Sequence, residues 1–145
     1  MREMSAICRM LCCFFLLTNM SGCKNAAEEL PKGTEVASAT APDRLSRGFV
    51  WMPEMSSILG ATNSQPYQVW IQYLGDGKPR SLILKASATD GVRLSWRDIR
   101  TLEVCYGPSH ISYFHNFFEY GEQSTRQLYS VEVILKRVQK LGDCS

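Results

Sequence analysis

"PYQVWIQYLGDGKPRSLILKASA", residues 66 to 88, decides the fold class. In its first part Tyr67, Val69, Ile71 and Tyr73 fall on one side and Gln68 and Gln72 on the other. A period of two is that of a half-buried strand. Trp70 shares the glutamine side, which predicts that this side is partly covered too. Gly75-Asp76-Gly77-Lys78-Pro79 is dense turn chemistry. "RSLILKASA", 80 to 88, continues as a second strand with Leu82, Leu84 and Ala86 on one side. The stretch therefore reads as a β-hairpin.

The same texture runs toward the C-terminus. Asp90-Gly91 predicts a further turn closing a hairpin into "VRLSW", 92 to 96, where Val92, Leu94 and Trp96 alternate with polar residues. "IRTLEVCY", 99 to 106, alternates through Leu102, Val104 and Tyr106, and Gly107-Pro108-Ser109 is a turn. "HISYFHNFFEY", 110 to 120, is strongly aromatic and reads as one more strand. "LYSVEVILKRVQKL", 128 to 141, fits a strand through Tyr129, Val131, Val133 and Leu135, or a helix through Val131, Ile134, Leu135, Val138 and Leu141. Its β-branched start favours the strand, with a helical turn after Lys136 still open. Residues 50 to 65 read as one short strand followed by irregular chain. The short links favour antiparallel pairing. The expectation is a mostly β domain of five to seven strands forming a small antiparallel sheet. A sandwich, an open barrel or a sheet with one covering C-terminal helix each fits.

Upstream the composition changes. Residues 24 to 48, "KNAAEELPKGTEVASATAPDRLSRG", hold no period for long, and Pro31 and Pro42 interrupt any helix. Such a segment buries too little apolar surface to offset its ordering entropy. It reads as a flexible tether reaching roughly 25 to 30 Å, with the domain proper at 49 to 145. The full chain has 145 residues, 45% of them hydrophobic, and a formal net charge of +2. That is ordinary for one globular domain. It lacks the strong positive charge that a nucleic-acid partner usually requires.

The first 22 residues read as a targeting signal. Arg2 and Arg9 make the start positive, "MLCCFFLL", 10 to 17, is a short apolar run, and Ser21-Gly22 are small residues before Cys23. The run is too short for a spanning helix, which needs roughly 20 residues. Met20-Ser21-Gly22-Cys23 resembles the lipobox of bacterial lipoproteins, with Met standing where Leu is favoured. The resemblance covers only this opening segment. It implies cleavage before Cys23, a diacylglycerol thioether on that thiol, and a periplasm-facing protein held by fatty acyl chains such as palmitate. Two or more acyl chains anchor durably, at about 0.8 kcal/mol per buried methylene. Lys24 differs from the Asp that often retains such proteins in the inner membrane, so the resemblance favours the outer membrane. Cleavage would leave 14 basic and 13 acidic residues.

Six cysteines lie at 8, 12, 13, 23, 105 and 144, and only Cys105 and Cys144 fall in the domain. In an exported protein such a pair is expected to be oxidised. The alternative is a Cys105 nucleophile beside His110 or His115, which needs a lowered thiol pKa and has no local signature. The two histidines are five apart, on opposite faces of a regular strand, and no CxxC or HExxH accompanies them. No metal or cofactor is therefore expected. Asp98, Glu103 and Glu119 are scattered rather than paired for acid–base work.

The aromatic run Tyr113, Phe114, Phe117, Phe118 and Tyr120 reads as core packing or as an exposed contact surface. Arg93 and Arg97 share a face of an extended strand, which suits either solvent or an acidic partner. The functional expectation is a lipid-anchored module that binds an envelope protein through Arg93, Arg97, Tyr113 and Phe117. Envelope assembly and toxin neutralisation by an immunity protein are the roles such lipoproteins often take. A small envelope hydrolase and a structural component touching peptidoglycan or another lipoprotein are the alternatives.

Overall fold

A computed structural model describes residues 29–54, 65–88, 91–122 and 124–144. The lipobox, the irregular segment after residue 54 and the position of Asp90 lie outside these residues. The described chain is mostly β, with nine strands and one short 3-10 turn. They are β1 (Gly33–Thr40), β2 (Ser46–Pro53), β3 (Gln65–Tyr73), β4 (Arg80–Ala88), β5 (Val92–Trp96), β6 (Thr101–Tyr106), β7 (Ser109–Phe114), β8 (Phe117–Glu122) and β9 (Gln127–Arg137).

The strands form two sheets over a common core. The first is antiparallel, in the order β1-β2-β3-β4-β7; the second has the order β5-β6-β9-β8. The expected hairpin over 66 to 88 is β3–β4, with Gly77 at φ 69° and Lys78 at φ 42° in its turn. After β4 the chain changes sheets three times. β5 and β6 pair in the second sheet, β7 returns to pair with β4, and β8 crosses again to pair with β9. β9 lies between β8 and β6, parallel to β6. The architecture is thus an open two-layer sandwich. The C-terminal segment is a strand as far as Arg137, and the expected covering helix is reduced to the 3-10 turn Leu141–Asp143.

Tyr67, Val69, Ile71 and Tyr73 all face the shared core, as their alternation predicts. They meet Leu102, Val104, Val131 and Val133 from the second sheet. Burial at about 25 cal/mol per Å² of apolar surface is what holds the layers together. At one end Tyr73 stacks on Tyr120 with ring centroids 3.9 Å apart, and Tyr120 stacks on Tyr129 at 5.1 Å. The Tyr73 hydroxyl donates to Glu122 at 3.0 Å. On the β1 side, Trp96 Nε1 donates to the Ala39 carbonyl at 2.9 Å and joins the sheets there. Gly48 is required beneath β6: a Cβ at that position would stand 2.8 Å from Leu102 Cδ2.

Five expectations need correction. Residues 33 to 48 are not tether. Gly33–Thr40 is a full strand paired with β2, because β2 offers an open row of backbone groups that β1 satisfies. The strand count exceeds five to seven for this reason, and because "HISYFHNFFEY" is two strands. The chain turns at His115-Asn116, where His115 N–H donates to Ile83 and Asn116 accepts from Val133. Leu82 and Leu84 do not share a face, because the register shifts between Val69 and Trp70. Finally, β4 and β5 form no hairpin, since each pairs with a different sheet.

Candidate interaction surface

Each sheet has an outer face. On the first, Phe49, Trp70 and Leu82 form a small second cluster, covered by Trp51 and Leu30. This is the cover that Trp70 on the glutamine side predicted. Trp51 Nε1 donates to the Pro31 carbonyl at 3.1 Å, which pins residues 30 and 31 across the sheet. An open cleft of about 380 Å³ lies beside them, lined by Leu30, Pro31, Gln68, Trp70 and Lys85 among others. Arg47 pairs with Glu35 on the same face and sits over the Phe49 ring at 4.8 Å.

The outer face of the second sheet is flatter and more open. Register places Phe117, Glu119, Leu128, Ser130 and Glu132 on it, at the β8–β9 side. Leu128 is 68% exposed and Phe117 37%. Glu119 and Glu132 are exposed beside them. Arg93 and Arg97 occupy the β5 side of the same face; Arg97 lies level with Phe117 at three strand spacings, about 14 Å, and Arg93 further along. The surface therefore has an apolar and acidic half and a basic half.

Glu103 lies between the halves. It points outward from β6 but is only 4% exposed. Arg97 Nε reaches its carboxylate at 2.8 Å and Lys136 at 3.8 Å. A buried carboxylate needs such partners, because desolvating an unpaired charge is expensive. Arg97 therefore neutralises Glu103 through Nε while its side chain stays 58% exposed. Arg93 donates to the Cys144 carbonyl at 3.4 Å. The C-terminal end reaches this spot because Cys105 and Cys144 are disulfide-bonded, with Cα atoms 5.9 Å apart. The sulfur of Cys105 is thus bonded and is not a nucleophilic thiolate.

The residues expected to bind a partner are only partly brought together. Phe117 shares the second sheet's outer face with Arg93 and Arg97 but stands at the opposite edge. Tyr113 is 42% exposed and pairs with Lys85, so it faces out from the first sheet. The cause is the break at His115-Asn116, which sends the two halves of the aromatic run to different sheets. Phe118 and Tyr120 are core residues. His110 and His115 are both exposed. Among the described residues no group of three or more His, Cys, Asp or Glu could hold a metal ion. Leu128 escaped the sequence reading. Its signal was an apolar residue before Tyr129, on the face opposite Val131 and Val133.

Among the described residues no helix is long and apolar enough to cross a membrane. No family model, curated protein or solved structure matches the chain. The functional reading therefore rests on its own residues.

Proposed function

We propose that the chain is a bacterial envelope lipoprotein, anchored through Cys23, that binds another protein on the outer face of its four-stranded sheet. The membrane anchor follows from the Met20-Ser21-Gly22-Cys23 lipobox resemblance. The binding reading is carried by one observation: Phe117 and Leu128 stand exposed on the same outer face of the β8–β9 ladder, four residues apart along it, with Glu119 and Ser130 between them and Glu132 opposite Phe117. Large apolar side chains on a fixed backbone lose little entropy on docking, and adjacent charges select the partner. The complementary surface carries an apolar knob with basic neighbours opposite Phe117 and Leu128. Envelope assembly and toxin neutralisation both need a surface of this kind.

The test is affinity capture from envelope extracts with residues 23–145, wild type and Phe117→Asp/Leu128→Asp. A partner retained by the wild type and lost by the variant, with an unchanged melting temperature, is the expected result. Capture indifferent to both substitutions, or turnover of a small substrate in place of capture, would reverse the assignment.

A further inference from the structure

We infer that the outer face of the five-stranded sheet, where Leu30 and Pro31 cross it, is the side of the domain held against the bilayer. This rests on the proposed lipidation of Cys23. Three observations carry it.

The first is where the chain joins the fold. Leu30 packs on the Phe49, Trp70 and Leu82 cluster. Pro31 accepts the Trp51 indole N–H at 3.1 Å, and Lys32 accepts from Glu54 N–H at 2.9 Å. The chain therefore enters on this face and is fixed there before β1 begins.

The second is length. Only residues 24 to 28 separate Cys23 from Glu29. Six Cα steps span at most about 21 Å when fully extended. A tether of that length keeps the domain closer to the headgroups than the 25-residue leash that composition alone suggested. The opposite outer face lies about another 10 Å away across the sandwich, on the far side from the attachment point.

The third is chemistry. Lys85 is exposed and borders the cleft beside Leu30 and Pro31, and Tyr113 pairs with it on β7 facing the same way. A long basic side chain and a phenol both place an apolar body low and a polar tip at headgroup level. The arrangement leaves Phe117 and Leu128 directed away from the membrane, toward a partner.

The test uses residues 23–145 with a diacyl lipid coupled chemically to Cys23, the other two cysteines being joined in the disulfide. The conjugate is placed in phosphatidylethanolamine–phosphatidylglycerol nanodiscs carrying a gadolinium-chelated lipid. Amide relaxation should be enhanced about fivefold or more at Gln68, Lys85 and Tyr113 over Leu128, Ser130 and Glu132, given sheets about 10 Å apart. Inserting a long Gly-Ser segment after Lys24 should erase the difference. Equal or reversed enhancement in the short-tethered protein would overturn the inference. A preference that survives the insertion would support the orientation and assign it to Lys85 and Tyr113 rather than to tether length. Because the lipid is attached chemically, this test can fail while intact-mass analysis of the native protein still finds Cys23 acylated, and the reverse also holds.

Discussion

Glu103 shows how far a single residue departs from its sequence appearance. In the chain it is one of several scattered carboxylates; in the fold it anchors Arg97 and Lys136 over β6. Tyr67 departs in the other direction. It was legible as a core residue from its alternation, yet its hydroxyl is buried and the Ser109 side chain bears on it without a well-formed hydrogen bond. A poorly satisfied buried hydroxyl keeps much of its desolvation cost. Tyr67→Phe is therefore expected to leave stability unchanged or raise it by up to about 1 kcal/mol, read as the urea midpoint. Tyr73 supplies a pH dependence. Burial, then the Glu122 carboxylate it donates to, push its pKa from 10.0 up to about 12. A phenol whose pKa is higher in the folded than in the unfolded state is held neutral by the fold. Its contribution is complete below pH 10 and is lost as the pH climbs through 12. Burial also raises Tyr67 and Tyr120. Circular dichroism should therefore show stability falling between pH 10 and 12, with a shallower fall in Tyr73→Phe.

Elements were legible where apolar side chains alternate toward the shared core. β3, β5 and β6 follow their period because a one-residue slip would turn every apolar side chain outward. The reading failed where tertiary contact decides. β1, with Glu35, Ala37 and Ser38, has no strand pattern of its own; it is a strand because β2 lends it a partner. Leu82 changes face at a bulge, which no alternation rule anticipates. The disulfide was foreseen from compartment and count. It encloses β7, β8 and β9, strands from both sheets, across a sequence separation of 39. On the chain-entropy estimate, closing that loop contributes about 4 kcal/mol. Cys105→Ser/Cys144→Ser is expected to lose about that much in chemical denaturation, and to free residues 138 to 144 for faster amide exchange. An unchanged midpoint in both oxidised and reduced protein would contradict the bond's structural role.

At the scale of the whole molecule, the sandwich begins earlier than composition implied. A chain starting at Glu29 keeps Leu30, Pro31 and β1 in place. One starting at Phe49 removes β1 and the first three residues of β2, and uncovers the backbone edge of the rest of β2 along with the Phe49, Trp51 and Trp70 cluster. Uncovered edges and apolar patches template association. Sedimentation velocity is expected to find the longer chain monomeric at concentrations where the shorter one aggregates. A monomeric, equally stable chain from Phe49 would show that β1 is dispensable.

Local pattern by itself determined that this protein is mostly β, that Tyr67 through Tyr73 line a core, and that Cys105 and Cys144 should meet. Period, turn residues and cysteine count act over a few residues and survive in any arrangement of the strands. Only the tertiary structure decided which strands share a sheet, that β9 runs parallel to β6, that Arg97 pairs with Glu103, and that Phe117 shares an outer face with Leu128 rather than with Tyr113. Those outcomes depend on contacts between residues distant in the chain, and a linear pattern carries no record of which distant edge will satisfy a strand's open hydrogen bonds.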